Sequence, residues 1–170
     1  MLNKFRRIIK GIKLNVQLIK DMKNDNNDKF IYAEEINDEG YVQRHNNRML
    51  MFNGLCVAGC ALTRIGFRTI PCIYTDVLFD KMTKETQEFI IYHELGHYEY
   101  HKELLLNGFE RNDKMENEAD YYATQIIGFD NTVKALEELK EMVDLVGLGL
   151  NKEHVKEIDR RIEYIKMYKL

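Results

Sequence analysis

The chain reads as an α+β protein, with a small sheet in its first half and a mostly helical second half. Three observations carry that reading. Residues 49–75 are rich in β-branched and apolar side chains and are interrupted at Gly54, Gly59 and Gly66, the pattern of short strands joined by turns. From residue 84 onward, apolar residues recur at spacings of three and four, as one face of a helix requires. Within the first of those helical stretches lies His93-Glu94-Leu95-Gly96-His97, whose two histidines are four apart and so share a helix face.

With 170 residues, 45% of them hydrophobic, the chain is long enough for one domain with a real core, 1–170. One proline and ten glycines argue against linkers and disorder. A net charge of −3 gives no basis for binding nucleic acid. Cys56, Cys60 and Cys72 are odd in number and lack C-x-x-C spacing, so they read as buried thiols in a reducing compartment. The N-terminal apolar residues are interrupted by lysines and arginines, unlike a signal peptide, and no apolar run reaches the length of a membrane span. A soluble cytoplasmic protein is the expectation.

Residues 3–23 form a basic amphipathic helix in this reading. Phe5, Ile9, Ile12, Val16 and Ile19 make an apolar stripe, and Lys4, Arg6, Arg7, Lys10, Lys13, Lys20 and Lys23 occupy other positions. Its stripe is expected to pack on the core. Peripheral contact with an anionic membrane is the less favoured alternative. Short strands are expected at Phe30–Ala33 and Tyr41–Gln43, then two or three antiparallel strands between Met49 and Thr75, completing a sheet region at about 30–75. Leu55–Leu62 has a helical rival reading. Pro71 cannot donate to a ladder, so its strand belongs at an edge, or its amide position is unpaired. Either Asn53–Cys60 or Phe67–Tyr74 could be an edge that accepts an extended substrate as a further strand.

Thr83 caps a helix at about 84–103, with Phe89, Ile90 and Leu95 facing the core. Leu104–Lys114 is a polar loop, and a second helix at about 114–127 stops near Gly128. Asn131 or Thr132 caps a third, through Val146, with Ala135, Leu136, Leu139, Met142 and Val143 inward. A last helix from Glu153 to Tyr168 buries Val155, Ile158, Ile162 and Ile165.

The chemistry is concentrated at His93–His97. Two neutral imidazoles one helical turn apart suit a tetrahedral zinc ion. Glu94 is placed to reach a water at that metal without ligating it, as a general base must. Downstream, Glu116 and Asp120 are four apart on one face, flanked by the small Ala119 and Ala123, which allow close helix packing. Glu116 is the expected third ligand, and Asp120 the carboxylate that holds a ligating histidine, His93, in its metal-binding tautomer. Glu118 is the rival ligand, but it lies about half a turn from the face of Asp120. A different zinc pattern, with glycine and histidine three and six residues after His97, is excluded because Tyr100 and Glu103 stand there. His101 extends the spacing of four, yet three histidines along a straight helix do not converge on one ion. It reads as a solvated or hydrogen-bonded helix-end histidine.

The pairing of His93-Glu94-Leu95-Gly96-His97 with Glu116-Asn117-Glu118-Ala119-Asp120 resembles the gluzincin metallopeptidases. Residues 111–123 look like the matching segment of the CAAX prenyl protease, HtpX and Oma-type peptidases, and the soluble ImmA/IrrE-like peptidases carry a similar arrangement. A small soluble scaffold of this kind resembles a minigluzincin. The resemblance covers mainly residues 70–128. It implies a zincin-like fold with the sheet packed against the metal helix, zinc held by His93, His97 and Glu116, Glu94 as catalytic base, and Asp120 behind a histidine. A weak echo of the prenyl-protease C-terminal pattern falls at His154 and Arg161, without the usual proline.

The expected activity is hydrolysis of peptide bonds in a peptide or protein substrate, by Glu-assisted attack of zinc-bound water. Tyr121, Tyr122, His45 and Arg161 are all candidates to stabilise the oxyanion, and the sequence does not choose among them. The alternative is a zinc-binding regulatory protein acting through a protein partner, for which a base at Glu94 has no use.

Overall fold

A computed structural model describes residues 2–24, 42–45, 57–65, 68–75, 77–106 and 112–168. These residues are mostly helical. Helix α1 is Leu2–Asn24, α2 is Lys84–Leu106, α3 is Asp113–Ile127, α4 is Phe129–Val146 and α5 is Lys152–Met167. Strands β1 (Val42–His45), β2 (Ala58–Ile65) and β3 (Arg68–Thr75) form a small sheet in the order β1-β3-β2.

β2 and β3 are an antiparallel hairpin, with Ala58 opposite Thr75 and Ile65 opposite Arg68. β1 runs parallel to β3, from Val42 beside Cys72 to His45 beside Thr75. Strand geometry thus prevails over the helical reading from Ala58 onward. Pro71 lies in the central strand, not an edge strand. Among the described residues the β1 pairing begins at Cys72, and Leu62 of β2 is registered against Pro71. Pro71, Ile73 and Thr75 alternate along one buried face. The strand expected at Phe30–Ala33 lies outside the described residues. So do Cys56 and the side chain of Cys72, while Cys60 is a half-buried thiol outside any disulfide among the described residues.

Helix α1 is continuous, but the apolar stripe expected to pack does not do so among the described residues. Phe5, Ile9, Ile12, Val16 and Ile19 are 39–65% exposed. The packed side instead carries Gly11, Leu14 and Leu18, of which Leu18 is fully buried. Close backbone approach decides this. A Cβ on Gly11 would sit 2.4 Å from the Leu145 carbonyl oxygen of α4. Polar contacts fix the same face, with Asn15 Nδ2 donating to the Val146 carbonyl at 3.0 Å and Arg7 pairing with Asp144 at 2.8 Å.

The core lies among α2, α4 and α5, with Phe89, Leu136, Ile162 and Ile165 at its centre. α2 runs three residues past the expected end, to Leu106, and bends at His101. Neither Asn131 nor Thr132 caps α4. Gly128, at φ 85°, turns the chain in a single residue, and α4 begins at Phe129. The side chains of Asn131 and Thr132 reach back to the carbonyls of Ile127 and Gly128.

Thr83 does sit at the start of α2, where its hydroxyl accepts from the Thr86 amide at 3.4 Å. It also ties α2 to α4, because Glu138 accepts from the Thr83 amide and from the hydroxyls of Thr83 and Thr86. Burial pushes the Glu138 pKa up, but these donors outweigh burial and hold it below 4.5. A carboxylate with a depressed folded pKa stabilises fully above its ordinary value, and that contribution is lost as pH falls through the folded value. Glu138→Gln should therefore lower stability at pH 7 by on the order of 1 kcal/mol, allowing for solvent screening. In denaturant titrations at decreasing pH the gap between variant and wild type should close below 4.5; a gap that stays constant would assign it to packing.

Candidate metal centre

The site is assembled where α2 crosses α3. Gly96 makes that crossing close. A Cβ there would lie 2.8 Å from the Ala119 Cα and 3.0 Å from the Tyr122 Cβ. On the facing helix Ala119 and Ala123 are fully buried, so small residues meet at the contact from both sides. Asn112 starts α3 by accepting from the Met115 amide through its side chain at 3.2 Å. One turn later, α3 delivers Glu116 and Asp120 towards α2.

His93, His97 and Glu116 form a buried group able to hold a metal ion, with one ligand atom from each all within 4.8 Å of one another. Nε2 of His93 is 3.2 Å from Nε2 of His97, 3.3 Å from one oxygen of Glu116, and the other oxygen is 3.4 Å from Nε2 of His97. Ligand bonds of about 2.0–2.1 Å at tetrahedral angles put neighbouring donor atoms roughly 3.3–3.4 Å apart. Each spacing is therefore that of two donors on one metal ion, with His93 and His97 facing different oxygens of Glu116.

The contacts behind the triangle support the same conclusion. Nδ1 of His93 is 2.7 Å from Oδ1 of the fully buried Asp120. A carboxylate there keeps the proton on Nδ1 and leaves the Nε2 lone pair facing His97 and Glu116. Lone pairs of two imidazoles and a carboxylate then face one another, an arrangement that a metal cation, or a proton on a ring nitrogen, can satisfy. Glu118 takes no part in the triangle. Its carboxylate meets His101, Oε2 to Nε2 at 2.9 Å, so His101 is hydrogen-bonded and 5% exposed rather than solvated.

Arg161 of α5 has a role that its sequence position did not reveal. Its Nε and Nη2 donate to the two oxygens of Asp120 at 2.7 and 2.6 Å, and its Nη1 is 3.6 Å from Glu116. A fork of donors holds a buried carboxylate in one orientation as a single ammonium would not. The electrostatics follow. Burial opposes the charge on His93, but Asp120 and Glu116 outweigh it and raise the ring to about 9. Burial likewise raises Asp120 and Glu116. Arg161 and His93 pull Asp120 well below the usual carboxylate range, and His93, His97 and Arg161 do the same to Glu116. A metal at the triangle takes the place of a proton, and both histidines must be neutral to hold it.

Glu94 is 3% exposed and lies on a cavity of about 190 Å³ beside the triangle. His93, Glu94, Glu116, Arg161 and His154 line one part, and Phe89, Leu139, Val143 and Ile158 another. Val57 and Ala58, at the start of the outer strand β2, also reach it. Of the oxyanion candidates, Arg161 is engaged by two carboxylates, Tyr121 packs on Tyr168, and Tyr122 packs edge-on to Tyr100. The His45 side chain lies outside the described residues.

Residues 66–132 match the Peptidase M78 family model, described as the IrrE N-terminal-like domain. That segment holds His93, Glu94, His97, Glu116 and Asp120 but not Arg161, and over it the resemblance to the ImmA/IrrE-like metallopeptidases holds. No curated protein and no solved structure matches the chain.

If the Gly96–Ala119 approach sets the triangle, Gly96→Ala should separate the helices. The expected cost is about 1–3 kcal/mol of stability, together with weaker zinc binding. Thermal unfolding and zinc titration of the same variant check both, and unchanged zinc affinity would show that the triangle does not depend on that contact.

Proposed function

We propose that the chain is a zinc-dependent peptidase with a zincin-like arrangement of sheet and metal helix, acting on peptide or protein substrates. The observation that carries this reading is the buried triangle of His93, His97 and Glu116, with Glu94 on the adjoining cavity. The M78 match over the same residues supports it.

A zinc ion held there would polarise the scissile carbonyl and lower the pKa of a nucleophilic water. The chain's own residues do the rest. Asp120 and Arg161 orient His93. A carboxylate oxygen of Glu94 takes the water proton and hands it to the departing amine nitrogen, so the base of the first step is the acid of the second. β2 is an outer strand that begins at the cavity, so an extended peptide laid along it brings a carbonyl to the triangle. His154 was not among the oxyanion candidates named from the sequence, but it is exposed on the same cavity, and we add it to them on that position.

Among the described residues no helix is long and apolar enough to cross a membrane. Action on dissolved substrates in the cytoplasm is part of the proposed reading. A zinc-binding regulatory role through a partner is the second reading. A buried Glu94 on the cavity favours the enzyme, since binding alone has no use for a base there.

Glu94→Gln separates the two readings. It should retain zinc and lose peptide hydrolysis by about 10²–10⁴-fold, measured on a library of quenched fluorescent peptides. Equal turnover by wild type and variant would remove Glu94 from the mechanism. A zinc-loaded wild type that cleaves nothing would favour the regulatory reading.

A further inference from the structure

Helix α2 does not run straight through its third histidine. At His101 φ is −126° and ψ 16°, and the helix bends there. The His101 ring is buried with Nδ1 3.3 Å from Nδ1 of His97, and its Nε2 is 2.9 Å from Oε2 of Glu118 on α3. The third ring thus lies against Nδ1 of His97, the nitrogen that does not face the triangle.

These contacts allow one order of protons when the triangle holds a metal. Nε2 of His97 faces His93 and Glu116 and must present its lone pair. The His97 proton then sits on Nδ1, where it is donated to Nδ1 of His101. That nitrogen can accept only if the His101 proton is on Nε2, and Nε2 is the atom facing the Glu118 carboxylate. The opposite order would place a proton on Nε2 of His97 and end its capacity to ligate. Each contact in the series thus selects the tautomer that the next requires.

We propose that His101 and Glu118 are positioning residues for zinc, a hydrogen-bonded chain that fixes the tautomer and ring orientation of His97. They would do for His97 what Asp120 does for His93. Glu118, the rival ligand by sequence, then belongs to the site through a ligand rather than to the metal. The two imidazoles are held differently. His93 is backed by a buried carboxylate clamped by Arg161. His97 is backed by the His101 ring, whose carboxylate partner is 37% exposed and 3.6 Å from the Lys114 ammonium.

This inference rests on the zinc reading of the triangle, and the test keeps the two apart. Zinc affinity of the full chain is measured by competition with a chromophoric chelator for wild type, His101→Leu and His101→Gln. His101→Leu removes the imidazole acceptor that faces the His97 Nδ1 proton and should weaken binding about 10–100-fold. His101→Gln should recover most of that, because its amide can accept from His97 and donate to Glu118. Side-chain ¹⁵N spectra of the zinc-loaded wild type give a readout that mere loss of packing would not produce, and they serve even if His101→Leu does not fold. They should show His97 protonated at Nδ1 and His101 at Nε2. Wild-type zinc binding with equal affinity in His101→Leu, or a His101 proton on Nδ1, would overturn the proposed chain and leave the metal site standing. A wild type that binds no zinc would overturn both.

Discussion

The site depends on how closely α2 and α3 approach. A glycine on one helix and an alanine on the other let the backbones meet at Gly96 and Ala119. That contact brings a carboxylate on α3 within 3.3–3.4 Å of two imidazoles on α2. A larger side chain at either position would move Glu116 outward, and a displacement well under 1 Å takes donor atoms off a tetrahedron. The geometry of the candidate metal site is thus set one step away from its three side chains, by residues with no functional group.

A second constraint comes from burying so much charge. Asp120 is inaccessible to solvent, and Glu116 and both histidines are nearly so. Buried carboxylates are tolerated only when paired and hydrogen-bonded. Arg161 meets that need for Asp120 with two short bonds and stands beside Glu116. This gives α5 its place. Ile158, Ile162 and Ile165 anchor it in the core, and Arg161 projects into the site from the same helix. The charges of the candidate metal site and the packing of the last helix therefore belong to one arrangement.

Most of the site was legible in the sequence because helical spacing is a geometric rule. Four residues along one helix put His93 beside His97 and Glu116 above Asp120, and alanines marked the face that packs. The rest depended on contacts between distant segments. Arg161 is 41 residues from its partner Asp120, and nothing in local spacing links them. The partners of His101 were hidden as well, since spacing along one helix names neither the ring nitrogen of His97 that it meets nor Glu118 on the next helix. In α1 the apolar stripe was the stronger signal, but close approach at Gly11 chose the other face for packing. Gly128 likewise ended one helix and began the next in a single residue, where a polar cap had been expected at Asn131 or Thr132. The strands were legible as a group, whereas the central place of β3 and its parallel partner β1 followed from pairings that sequence alone does not display.

The central claim is that His93, His97 and Glu116 are arranged in advance for a tetrahedral ion. Elemental analysis of purified wild type beside Glu116→Gln tests it most directly. The account predicts about one zinc per wild-type chain and much less in the variant, because the amide keeps the shape of the carboxylate but not its charge. Wild type that takes up no zinc even after reconstitution, or a variant that holds as much as wild type, would contradict it.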